Sequence, residues 1–267
     1  MRPNISEFSF GYALTECLIE FFRSQTLSLT AAPLFPSLYD EGRPGGGYDL
    51  RLDLPGVILF LQFKLSDYIR KNDNRIEEFK RNLFNTPFYR MHLRPSRHSQ
   101  QHQMLIDLEG QGQGVQRNEV YYAAPLFHEP YDLNQAYLTR QVPQRSIFIR
   151  PSAIGNLPDD RNHRISYNNS NFGYFFSEPQ KIEMVNLERM VHQIYENIIK
   201  QEDKILEKSL YEISTEMVKI IKKQFLYSQW FKKNVEELFN TLIPFKQVSF
   251  LARTYFDCDI LAVRRTG

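Results

Sequence analysis

The sequence of 267 residues predicts an α/β fold. Apolar residues recur at helical spacing near the N-terminus and over a long C-terminal stretch, while shorter segments between them alternate polar and apolar or are apolar throughout, as strands are. Hydrophobic residues make up 42% and aromatics 14% of the chain, enough for the core of one large domain. The 33 Lys and Arg nearly balance 31 Asp and Glu, so affinity for a polyanion has to come from a local patch rather than from global charge.

The elements follow in order. Leu14, Leu18, Phe21 and Phe22 mark a helix over residues 7–23, with Ser6 placed to cap it. A turn-rich stretch ends in Gly42-Arg43-Pro44-Gly45-Gly46-Gly47. Tyr48 to Leu54 then alternates as a strand, Pro55-Gly56 is a turn signal, and Val57 to Lys64 is a second, more apolar strand. Helices are expected over 74–82 and 99–109, and a flexible break over 110–114. Strands are expected at 120–124 and 146–149, and a hairpin over 163–177 turning at Asn168-Asn169-Ser170-Asn171. From Lys181 the chain becomes helical, with a stutter near Glu202-Asp203, a further helix over 234–242 and a last strand over 254–264.

Chemistry concentrates in the hairpin expected from 48–54 and 57–64. Side chains alternate across a strand, so Gln62 and Lys64 share one face, and Asp49, Arg51 and Asp53 share a face of the partner. The turn brings together a carboxylate, an amide oxygen and an ammonium. Such a group suits Mg²⁺ (or Mn²⁺), which takes oxygen ligands from one or two carboxylates, waters and substrate phosphate. Asp49 supplies the carboxylate and Gln62 a neutral oxygen. Lys64 is placed to hold a water nucleophile and to stabilise developing negative charge.

Residues 64–97 hold nine Lys or Arg against four Asp or Glu, an excess of five. Within that run Arg70, Lys71, Arg75, Arg94 and Arg97 are candidate nucleic-acid contacts, interleaved with Tyr68, Phe88 and Tyr89, whose rings suit stacking bases. His98 and His102 lie at i, i+4. Without a nearby third ligand they read as a polar, DNA-contacting helix face rather than a zinc site. Asp159-Asp160-Arg161-Asn162-His163 reads as a turn.

Asp49, followed thirteen positions later by Gln62-Phe63-Lys64 closing an apolar strand, resembles the PD-(D/E)XK nuclease superfamily. The resemblance covers roughly residues 7–125. It implies a restriction endonuclease-like αβββαβ core, here with extra strands and a helical C-terminal region, and a first strand within 26–38. It also implies a helical glutamate that assists metal or water, for which Glu16 fits, with Glu20 one turn later. One departure is Gln62, where the family usually has Glu or Asp. Two other acid-x-Lys triplets, at Glu78 and Glu202, sit in polar helical sequence without a paired aspartate strand.

The organisation expected is a nuclease core over 1–180 and a helical region over 181–267 that ends in a strand and packs on the core. The activity implied is Mg²⁺-dependent phosphodiester hydrolysis, on DNA more than RNA, in phage defence or DNA processing. The alternative is a non-catalytic nucleic-acid-binding or assembly subunit with a degenerate nuclease fold. The apolar stripe over 184–225 follows heptad spacing and offers a homodimer or partner interface. Two isolated cysteines, Cys17 and Cys258, read as buried thiols in a cytoplasmic protein, and no apolar run is long enough to span a bilayer.

Overall fold

The computed structural model describes residues 1–29, 56–70, 76–85, 87–95, 100–110, 118–176, 179–200, 206–224 and 244–265. The chain is mixed α/β: its described strands form two sheets, and eight α-helices lie among the described residues. It divides into two compact units that interleave in sequence. Unit 1 comprises Met1–Phe22, Phe63–Ser99 and Tyr121–Val191, and unit 2 comprises Arg23–Gln62, Gln100–Val120 and His192–Gly267. The boundary expected at residue 180 falls inside unit 1, and the helical end of the chain shares unit 2 with the apolar strand at 57–62.

In unit 1, helix α1 (Glu7–Ser24) starts where the Ser9 N–H donates to Ser6 Oγ at 3.0 Å, and it carries Glu7 in its first turn and Arg23 in its last. Phe10, Leu14, Cys17, Leu18 and Phe22 form its buried stripe. Gly11 admits a close neighbour, since a Cβ there would lie 2.6 Å from the Phe63 ring. Phe10 meets the same ring edge-on at 5.9 Å, so α1 fixes the residue that directly precedes Lys64. At that point the Lys64 N–H donates to the Ala123 carbonyl at 2.9 Å. Ala123 belongs to β5 (Glu119–Pro125), which pairs antiparallel with β6 (Ser146–Ile149).

The second sheet, also in unit 1, runs β3-β4-β7-β8-β9. Its strands are β3 (Ser66–Ile69), β4 (Phe88–Leu93), β7 (His163–Tyr167), β8 (Phe172–Phe176) and β9 (Gln180–Glu183). Every neighbouring pair is antiparallel. The hairpin expected over 163–177 is β7–β8, with Asn168 Oδ1 accepting the Ser170 N–H in its turn. Tyr68, Tyr89 and Tyr167 stand opposite one another on three adjacent strands, with ring centroids 5.1 and 5.8 Å apart.

The helix expected over 74–82 is a single turn, α2 (Glu77–Lys80), and its importance is ionic. Glu78 is fully buried. Its Oε1 accepts from Arg90 Nε at 2.9 Å, Arg164 Nε at 3.0 Å and Ser166 Oγ at 2.6 Å. Burial alone would raise its pKa, but these donors outweigh it and hold the carboxyl down to about 2. The sequence around Glu78 reads as polar and helical, and in the structure the carboxylate is buried. Arg90 and Arg164 come from β4 and β7 and neutralise the carboxylate where it is buried.

In unit 2, β1 (Leu27–Leu29) and β2 (Val57–Phe63) flank β10 (Asp259–Arg265), both antiparallel. The strand expected over 48–54 lies outside the described residues; among the described residues an antiparallel partner of β2 comes from the far end of the chain. The register sets Leu61 opposite Asp259 and Val57 opposite Val263. Helix α3 (Gln101–Glu109) ends at Gly110, whose φ of 72° is the left-handed cap that glycine adopts readily.

Helices α4 (Pro130–Leu138) and α5 (Pro151–Ile154) belong to unit 1, and both begin on a proline. Helix α6 (Leu187–Lys200) is followed in unit 2 by α7 (Leu206–Gln224) and α8 (Pro244–Leu251). The apolar stripe expected as an interface is covered by the chain itself: Met190, Ile194, Ile198, Leu210, Met217 and Ile221 are all buried. It therefore serves as core. The stutter near 202 and the helix over 234–242 lie outside the described residues. Cys17 and Cys258 are buried free thiols, and among the described residues no helix is long and apolar enough to cross a membrane.

Glu78 makes unit 1 sensitive to acid. Its folded pKa lies below the ordinary value of 4.5, so its stabilisation is complete above pH 4.5 and is lost as pH falls towards 2. The loss expected is about 3 kcal/mol. Glu78→Gln, which leaves two guanidinium groups facing a neutral amide, is expected to cost about 3–5 kcal/mol at neutral pH. Urea unfolding of both proteins across that pH range measures the two effects.

Candidate metal centre

Gln62 closes β2 in an apolar setting: all seven residues of the strand are buried, and Gln62 itself is 1% exposed. Its Nε2 donates to Asp257 Oδ2 at 3.5 Å, the long limit of a hydrogen bond. Among the described residues its Oε1 has no hydrogen-bond partner. A buried, unpaired amide oxygen costs about 1–3 kcal/mol, which makes it a candidate ligand atom.

Asp257 reaches Gln62 by local backbone geometry. Helix α8 runs into a π-helical turn, Ala252–Phe256, and the chain leaves it through Asp257 at φ 53°. Aspartate is among the few side-chain-bearing residues common in this left-handed region, and π turns are frequent at functional positions. Gln101 Nε2, at the start of α3, donates to the Phe256 carbonyl at 3.2 Å and holds the turn.

Two residues on, Asp259 begins β10. Burial pushes its carboxyl above the ordinary value and the Asp257 charge adds to this, while Arg253, 3.1 Å away, opposes both. Asp259 stands opposite Leu61, so it faces away from Gln62 across the sheet, and the pair that meets is Gln62 and Asp257. An amide oxygen and a carboxylate are hard donors of the kind that Mg²⁺ or Mn²⁺ takes, with waters and phosphate completing the shell. Among the described residues no three Asp, Glu, His or Cys side chains converge as a metal-holding group.

The expected site residues are distributed as follows. Asp49 lies outside the described residues. Lys64, in unit 1, is 8% exposed, an unusual setting for lysine. Glu16 is half-exposed on α1. It accepts a hydrogen bond from Tyr137 and pairs with Arg140 Nη1 at 3.1 Å, while Arg140 Nε reaches Glu20 at 3.0 Å. The Tyr137 hydrogen bond first, and then Arg140, hold the Glu16 carboxyl below its usual range.

Of the basic run, Arg70 and Arg94 are exposed, and among the described residues neither has a carboxylate partner. Lys71, Arg75 and Arg97 lie outside the described residues. Arg81 and Arg90 are taken up by Glu77 and Glu78. His102 is buried at 5% exposure rather than presented on a polar face, and His98 lies outside the described residues.

Asp257 and Asp259 were not singled out from the sequence. Their signal is two acids flanking Cys258 at the head of an apolar strand, 195 residues from Gln62. Comparison with protein-family models, with curated proteins and with solved structures returned no match.

If Gln62 is kept for ligand binding rather than packing, its loss is nearly free in the absence of metal. Gln62→Leu removes the unpaired oxygen and is expected to change stability by less than about 1 kcal/mol in EDTA. Leu61→Ala, next to it in the same buried strand, is expected to cost about 2–5 kcal/mol. Thermal melts of both variants beside wild type decide this.

Proposed function

We propose that the chain is a metal-dependent nuclease that hydrolyses phosphodiester bonds, with DNA the preferred substrate on the strength of the resemblance. The observation that carries the reading is the buried Gln62, whose Oε1 is unpaired among the described residues while its Nε2 donates to Asp257 Oδ2. Gln62 and Asp257 would hold the ion, with Asp49 the carboxylate that the resemblance assigns to the same role. Bound there, Mg²⁺ would lower the pKa of a water and neutralise charge on the phosphate. Lys64, which the resemblance assigns to this role, would orient the nucleophilic water and donate to the phosphoryl oxygen as its charge grows. Glu16, occupied by Tyr137 and Arg140, is left out of the donor set, and Asp257 takes its place.

A second reading has its own support. With no three-residue acidic or histidine cluster among the described residues, a nucleic-acid-binding subunit that has lost its chemistry also fits the centre.

Metal dependence separates the two. Supercoiled and linear DNA, and in parallel single-stranded RNA, are incubated with the full chain in Mg²⁺, Mn²⁺ or EDTA. Cleavage is expected with either metal and not in EDTA. Lys64→Ala, Gln62→Ala and Asp49→Asn are each expected to lower the rate about 100-fold or more. Equal rates for wild type and Lys64→Ala would remove the catalytic reading.

A further inference from the structure

We propose that unit 1 carries a nucleotide-binding pocket on its second sheet, walled by Tyr68 and Tyr89 and served by Arg145, Gln144 and Asn169. Unit 1 has a cavity of about 550 Å³ lined by these five residues, within the size range of small-molecule sites. Another cavity of unit 1, between α1 and α4, is lined by no charged residue.

The aromatic wall is preorganised. Tyr68 and Tyr89 stand opposite each other on β3 and β4, and His128 stacks on Tyr68 at 4.4 Å. The Tyr89 hydroxyl donates to the Leu126 carbonyl at 2.7 Å, which fixes that ring too. The faces of Tyr68 and Tyr89 are taken by each other, by His128 and by Tyr167, so a base would meet these fixed rings edge to face.

The cation is uncommitted. Arg145 lies over the Phe127 ring at 5.4 Å, and among the described residues no carboxylate pairs with it. Arg70, exposed, lies 5.6 Å from the Tyr68 ring centroid but does not line the cavity. The side-chain amides of Gln144 and Asn169 are exposed, and among the described residues they have no hydrogen-bond partner.

Fixed aromatic ring edges, a guanidinium group and amides that both donate and accept together match one ligand chemistry, an aromatic base carrying a phosphate. That unit comes from a single-stranded nucleic acid or from a free mononucleotide. The pocket needs no metal; its residues belong to unit 1, and Gln62 belongs to unit 2.

The test uses the full chain in EDTA, so that binding is read without hydrolysis and its failure is distinct from failure of the nuclease reading. The probes are a fluorescein-labelled oligo(dT) of about twelve nucleotides, followed by anisotropy, and AMP and UMP, followed by calorimetry. The variants are Arg145→Gln and Tyr68→Leu, with Arg161→Ala, on an exposed loop outside the pocket, as control. A weakening of about tenfold or more in both pocket variants, with the control unchanged, is expected for whichever probe binds. Dependence seen with oligo(dT) alone assigns the pocket to a strand, and dependence seen with AMP or UMP assigns it to a free nucleotide. An oligonucleotide carrying 5-iodouracil is expected to photocrosslink to peptides containing Tyr68 or Tyr89. Should Tyr68→Leu melt early by circular dichroism, Arg145→Gln and the crosslink decide. Absence of binding by every probe, wild-type affinity in Arg145→Gln, or crosslinks mapping to other peptides would each overturn the proposal.

Discussion

The second sheet of unit 1 depends on one buried charge. Glu78 sits at the middle of a single helical turn and draws Arg90 from β4 and Arg164 and Ser166 from β7 onto the same carboxylate oxygen. A buried carboxylate is tolerated only when its lone pairs are filled, and here three donors from two adjacent strands fill one oxygen. The consequence is register. Arg90 pairs with Ser166 across the ladder, so the charge locks the strand alignment that also sets Tyr89 opposite Tyr167. The tyrosine row, and the cavity at its exposed end, follow from where that carboxylate sits.

The same carboxylate explains why the basic run after Lys64 is less available than its composition implies. Charge counted along a sequence does not distinguish a guanidinium aimed at solvent from one consumed by a buried acid. Arg81 and Arg90 are consumed, and Arg70 and Arg94 are not. An excess of five positive charges over residues 64–97 is therefore a poor measure of phosphate affinity.

What was legible in the sequence follows the range of the forces involved. Helix α1 and its Ser6 cap, strands β2, β5 and β6, and the β7–β8 hairpin are set by spacing and turn residues within a few positions, and the structure has them where the pattern places them. Strands β3 and β4 were missed because Arg, Asp and His interrupt their apolar alternation, and those residues are explained only by partners elsewhere, such as Asp67 for His92. The pairing of β2 with β10 is the most distant case: nothing local in residues 57–63 announces a partner from residues 259–265. For the same reason Gln62 was legible as unusual, a lone amide in an apolar strand, whereas Asp257 was not, because only the fold brings it close.

The neutral residue at Gln62 shapes the electrostatics of the centre. An acid here would be buried beside Asp257. Two carboxylates so close in a buried place would repel each other and both need desolvation. An amide avoids that conflict, since it carries no charge to desolvate. The cost falls on cation affinity, because one fewer charge attracts a divalent ion less strongly. Substrate phosphate, which brings negative charge of its own, would restore part of that attraction. On the nuclease reading, metal and substrate would thus bind cooperatively at this centre, each supplying charge that the other needs.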